Sequence, residues 1–350
     1  MKQTNQILNI IFYSSFVLLF GCSAQNAVES SLESYINDLN RSVWVDIRIK
    51  EPSLDLLPIP SVRDRRFELA QFDIGILDFL SLQQCDVGAV VGHKNSILGK
   101  VMPDSQRLLY ELNLIRAIDS CHIESDSLRS ELFAARNVKK SELIKAFSNS
   151  LWAGRESSAF FSLSNGLISM SPDRSSFTLL QNSLNYLAGL MSNLHHVPKV
   201  SSNSLEGHFQ NIYESEYAGK LLLTLLMLTK KLNDVSEGLE SIHVSGEFCD
   251  KPIQFLKQQF KAHYLNKIQP YMARVNSVAF RVLPVINQFK AQTQPLTGSF
   301  NDFLAQWSMT SSSSKWKAYQ EASKRHALSW NGLFQKCSVT LNQVINKAEE

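Results

Sequence analysis

The chain has 350 residues, a mass of 39.5 kDa and a formal net charge of +3. A chain of this mass buries roughly 75% of the surface its unfolded form exposes, so the core needs no metal or cofactor, and none is expected. With 44% hydrophobic and 19% charged residues it falls on the globular side of the disorder boundary, and a pI near 8.5 without a block of Lys and Arg excludes the basic footprint of a nucleic-acid binder.

Residues 1–24 carry one early cation, Lys2, an apolar stretch from Ile7 to Phe20, then Gly21, Cys22 and Ser23. That pattern predicts a secretory signal, and the apolar part is shorter than the roughly 20 residues a membrane-crossing helix needs. Leu19-Phe20-Gly21-Cys22 resembles the lipobox of bacterial lipoproteins, although Phe20 is larger than the residue usual there. The expected organisation is therefore a signal peptide over 1–21, lipid attachment (palmitate included) at Cys22, and a single α-helical domain over 22–350. Ordinary cleavage near Ala24 and an uncleaved anchor are the alternatives. Ser23 lacks the Asp that resembles an inner-membrane retention signal, which favours the outer membrane, facing the periplasm, over the inner one.

Cys85, Cys121, Cys249 and Cys337 remain, an even number in an oxidising compartment. Four cysteines allow three pairings. Cys85 with Cys121 and Cys249 with Cys337 closes the shortest loops and is the expected pairing, with four buried thiols as the alternative. No pair has the close spacing of a zinc site, so no metal is expected.

The spacing predicts a helix over Ala27–Leu39. Val43, Val45, Ile47 and Ile49 then alternate with polar residues or Trp44, and with Pro52, Pro58 and Pro60 nearby they predict an edge strand or an extended strap. Phe177, Leu180, Leu184, Leu187, Met191 and Leu194 share one helical face, which should end before Pro198. Leu205, Phe209 and Ile212, then Leu221 to Ile242, predict another long helical stretch, with a break near Gly238. From Ile253 to Phe289 an apolar stripe holds the straight-helix period, so Pro270 and Pro284 should kink it without ending it. Ser311–Ser314 should cap a last helix carrying Trp316, Trp330, Cys337, Leu341 and Val344. If Cys249 meets Cys337, the last two helices lie antiparallel, with 293–310 as their turn. The fold class is mainly α: a bundle-like domain of long antiparallel helices with a short extended N-terminal segment and two disulfides.

Residues 73–121 predict a helix ending near Cys85, a short helix over Val87–His93, a turn around Gly99 and a helix opening at Asp104 or Ser105. Ile76-Leu77-Asp78-Phe79-Leu80, the run Asn95 to Met102, and Ser105 to Glu111, bracketed by Cys85 and Cys121, carry a resemblance. So do Cys249-Asp250-Lys251-Pro252 and Ile268-Gln269-Pro270-Tyr271. With these pieces the chain resembles a family of gammaproteobacterial lipoproteins, the domain of unknown function numbered three thousand and eighty. The resemblance implies a lipoprotein and the cysteine positions, and implies no activity. Asn95, Lys100, Gln106, Arg107, Tyr110 and Glu111 are candidates for a polar recognition surface held by the adjacent bridge. The plainer reading is loop hydrogen bonding by Asn95 and Gln106 with an Arg107–Glu111 helix pair.

No Gly-x-Ser-x-Gly elbow, His-Glu-x-x-His helix or phosphate loop is present, and no catalytic residue is assigned. His195 and His196 read as loop histidines before Pro198. Glu214 and Glu216, side by side on a predicted helix, could serve glycoside cleavage, but a solvated face explains them as well. His326 is about three turns from Cys337, too far to activate it. Trp316 and Trp330 follow the apolar stripe, whereas Lys315, Lys317, Lys324 and Arg325 mostly do not. The expected function is a non-enzymatic binding or scaffold lipoprotein of the cell envelope, whose partners are the membrane through its lipid and another envelope protein or peptidoglycan. The alternatives are an envelope hydrolase acting on peptidoglycan or lipid, and a carrier of hydrophobic ligands.

Overall fold

The computed structural model describes residues 23–50, 56–72, 81–82, 85–171, 174–293, 295–312 and 314–339. The signal sequence, Cys22, the body of the helix expected to end near Cys85, Ser313, and Leu341 and Val344 lie outside them. Among the described residues the regular elements are all helical, and no helix is long and apolar enough to cross a membrane.

Helix α1 (Ser23–Leu39) buries Val28, Leu32, Tyr35, Ile36 and Leu39 on one face. The extended segment that follows is a strap with no strand partner: the Asn40 amide accepts from Ile47 N (2.8 Å) and donates to Ile47 O (2.9 Å), doing what a neighbouring strand would do. Only two of its alternating apolar residues, Val45 and Ile47, are buried, while Val43 is 97% exposed.

Helices α2 (Asp86–Asn95), α3 (Asp104–Ser120) and α4 (Asp126–Trp152) pack in sequence. Cys85 is the N-cap of α2 and Cys121 the C-cap of α3, and the two form a disulfide with Cα atoms 5.6 Å apart. Helix α3 serves two hydrophobic cores. Leu108, Leu109, Leu112 and Ile115 enter the main one. Tyr110, Leu114, Ala117 and Ile118 enter a smaller one with Val87, Val91, Leu128 and Leu132.

The 27-residue α4 has no counterpart in the sequence reading, because the polar residues Lys139, Ser148, Asn149 and Ser150 interrupt its buried apolar side. Lys139 donates to Ala70 O, Glu142 accepts from Ala70 N (2.8 Å), and Asn149 exchanges two bonds with the Phe67 backbone (2.7 and 2.8 Å). The helix thus satisfies the extended chain 67–70 with side chains. Arg65 is buried beside it, donating to Trp152 O (2.5 Å) and to Ser157 and Ser158. Burial lowers its guanidinium pKa from the usual value.

Short α5 (Arg155–Phe160) leads to α6 (Arg174–Ser192), α7 (Ser202–Ser215) and α8 (Tyr217–Glu240). Helix α6 ends ahead of Pro198, through a turn at Leu194–His196 and left-handed Val197 (φ 50°). Helix α8 is not broken at Gly238. A Cβ there would meet Ile47 Cγ1 at 2.5 Å, so the glycine lets the strap lie against an intact helix.

The long stripe becomes α9 (Lys251–Gln259), a π-helical stretch (Phe260–Ile268) and α10 (Gln269–Gln292). Its widened turns end next to Pro270, which has no amide hydrogen to contribute. The expected bare turn at 293–310 contains α11 (Gly298–Ala305), capped by Thr297, which buries Phe300, Phe303 and Leu304 beside Trp152, Phe161 and Trp307. Ser314 caps α12 (Lys315–Lys336), accepting from Lys317 N (3.1 Å).

Ring pairs fix the direction of α12 against the stripe: Phe260 with Trp330 (4.7 Å), Tyr264 with His326 (4.3 Å), Phe280 with Trp316 (5.2 Å). One number rises as the other falls, so the helices are antiparallel. The Cys249–Cys337 disulfide, Cα atoms 5.1 Å apart, closes one end. It spans 88 residues, and replacing both cysteines with alanine should cost about 2–4 kcal/mol by releasing that loop in the unfolded chain. Urea unfolding measures it, and a loss below about 1 kcal/mol would show that the staple constrains little.

Candidate functional site

The residues proposed from the sequence as a recognition surface separate into three environments. Asn95 ends α2, and Lys100 closes the single helical turn Ile97–Lys100; both are exposed. That turn is folded tightly back on α2. Ser96 Oγ donates to His93 O (2.7 Å) and accepts from Gly99 N (3.0 Å), and a Cβ on Gly99 would come within 2.2 Å of His93 O. Glycine is required there by close approach. The turn holds Ile97, Leu98 and Val101 outward at 86%, 79% and 76% exposure. Single exposed apolar residues are ordinary, whereas a contiguous group is the kind of surface that partners cover. Lys100, with Lys94 on the last turn of α2, gives the rim positive charge.

Gln106 and Tyr110 line a concavity of about 360 Å³ together with His93, Asn113, Val200 and Ser202. Gln106 is a cross-brace: its amide donates to Glu206 Oε1 (2.5 Å) and Ser202 Oγ (3.1 Å), and Ser105 Oγ donates to the same carboxylate (2.8 Å), tying α3 to α7. Tyr110 is buried, with the Arg107 guanidinium 5.0 Å and the Lys94 ammonium 5.4 Å from its ring centre.

Arg107 and Glu111 do not present a surface. Glu111 is 3% exposed; it accepts from Arg107 Nε (2.7 Å) and pairs with Lys139 Nζ (3.1 Å), itself 2% exposed. The expected i,i+4 pair exists, but α4 covers it and adds a second cation. Lys139 belongs to the helix that sequence reading passed over, and only the placing of α4 reveals its role.

The other chemical candidates also find structural partners. Glu214 and Glu216 do not share a helix: α7 ends at Ser215, and Glu216 is left-handed (φ 54°) before α8. Glu214 accepts from Gln210 (2.6 Å), and Glu216 pairs with Lys220 (3.1 Å). Cys337 is oxidised, and His326 is fully buried, bonded to the Tyr35 hydroxyl at 3.0 Å. Trp330 donates to that hydroxyl (2.8 Å), and His326 Nδ1 is buried without a hydrogen-bond partner. Burial pushes the His326 pKa down to about 3. Trp316 and Trp330 are core residues, whereas Arg325 forks onto Glu240 (2.6 and 3.1 Å). Among the described residues no group of three or more His, Cys, Asp or Glu is placed to hold a metal ion.

A family model described as a protein of unknown function, DUF3080, matches residues 32–341. The chain belongs to the DUF3080 family. The DUF3080 match takes in both disulfides, the Ile97–Val101 turn and the Arg107–Glu111–Lys139 cluster. No curated protein and no solved structure matches the chain.

Proposed function

We propose that this DUF3080 protein is a lipid-anchored binding or scaffold protein of the cell envelope, attached through Cys22 to the outer membrane and facing the periplasm. The observation that carries the binding role is the outward turn at Ile97, Leu98 and Val101. It is rigidly closed on the end of α2, whose opposite end carries the bridge between Cys85 and Cys121. Its partner is an envelope protein offering an apolar patch rimmed with carboxylates, complementary to Lys100 and Lys94. The signal pattern over 1–21 and two disulfides of ordinary Cα separation support the compartment.

Growth with radiolabelled palmitate followed by fractionation tests the anchor. Label should enter the membrane fraction and vanish in Cys22→Ala. An unlabelled wild-type protein recovered among soluble intracellular material would overturn it. For the surface, a photo-crosslinker at position 98 should trap one defined envelope protein, and Ile97→Asp should abolish the adduct without changing the melting temperature. Adducts with lipid alone, or none, would count against a protein partner.

A further inference from the structure

The largest concavity among those described lies elsewhere, between α1, α8 and the strap, with a volume of about 680 Å³. That size suits a small-molecule site. Its apolar lining comes from Leu167 and from Leu223, Leu226 and Met227 on α8. Two turns further along the same helix, Asp234 lines the groove while being only 5% exposed, and its Oδ2 is buried without a hydrogen-bond partner. A carboxylate in that position costs stability unless something supplies a donor. Burial raises the Asp234 pKa from its ordinary value even though Lys230, Lys231 and Lys50 act to lower it. The protein's own lysines therefore do not offset the desolvation. Lys50 is engaged by Glu237 at 2.6 Å.

Two more carboxylates, Glu29 and Glu33, face the groove from α1. They stand four residues apart, a spacing at which like charges repel. Lys230 and Lys231 stand on the rim formed by α8. The groove thus offers a buried acceptor without a partner, further carboxylates on α1, a pair of cations on α8, and an apolar floor.

We propose that this groove binds an amphipathic zwitterion, its primary ammonium on Asp234, its anionic group at Lys230 and Lys231, and its apolar part on Leu223, Leu226, Met227 and Leu167. Short apolar peptides and aminophospholipids both present this chemistry, with a carboxylate in one and a phosphate in the other. The site is independent of the Ile97–Val101 turn, so either reading can fail alone.

Calorimetric titration of the purified full-length protein tests it with two amine-bearing probes: leucyl-leucine, and dihexanoyl phosphatidylethanolamine below its micellar concentration. At least one should bind, and which one identifies the source. Dihexanoyl phosphatidylglycerol, which lacks the amine, should bind at least about tenfold more weakly than the ethanolamine lipid if that lipid is the source. Asp234→Asn should weaken the binding probe by about tenfold or more while keeping the helical circular dichroism. The surface double variant Lys230→Gln/Lys231→Gln should also weaken it, and serves if the Asn variant folds poorly. Binding of neither amine probe, equal binding of the glycerol lipid where the ethanolamine lipid binds, or unchanged affinity in both variants would overturn the proposal.

Discussion

Replacing Glu111 with glutamine should lower the unfolding free energy by about 3–5 kcal/mol, the cost typical of stranding one partner of a buried ion pair. Lys139 is 2% exposed, and its charge is met by Glu111 and the Ala70 carbonyl. Without the carboxylate, its ammonium would sit in the interior with carbonyl and amide dipoles alone. Arg107 is better placed to recover, since 16% of its side chain already reaches solvent. The double variant Glu111→Gln/Lys139→Met should regain much of the loss, because it removes the stranded charge as well. Urea unfolding of the two single variants and the double yields the coupling. A loss near 1 kcal/mol for Glu111→Gln, or simple additivity, would mean that water reaches Lys139.

Acid should weaken the protein through His326. Its folded pKa of about 3 lies below the ordinary value of about 6.5, so as pH falls the unfolded chain takes up the proton first. The contribution to stability is complete above about pH 6.5 and is lost towards pH 3, at about 1.4 kcal/mol per pH unit. The carboxylates add their own slopes, and comparison with His326→Phe removes them. The variant carries a constant penalty, since the Tyr35 hydroxyl loses its hydrogen bond to position 326 while keeping Trp330 as a donor. Between pH 6 and 4 its unfolding free energy should vary with a slope about one proton smaller than that of the wild type. Equal slopes would place water or a proton on the imidazole in the folded state.

Elements whose buried side is apolar were legible from periodicity. The stripe from Ile253 to Phe289, the face of α6 and the course of α8 all follow it, and loop lengths alone favoured the cysteine pairing that the structure contains. Helix α4 was not legible because Lys139, Glu142 and Asn149 face inward to hold an extended segment, which no hydrophobic pattern records. Misplacing Glu111 on a surface follows from that omission. An Arg107–Glu111 pair has the same spacing whether water or another helix lies over it, and the covering helix was the one unread. Gly238 misled for a related reason: a helix-breaking residue and a docking notch for Ile47 look identical in one dimension.

Helix α3 sends side chains into both hydrophobic cores and so acts as a wall shared by two rooms. Its middle turns have little side left to yield. Any tug on the outward turn before it, or on the Cys85–Cys121 staple at its far end, is resisted by the whole interior and not by a local hinge.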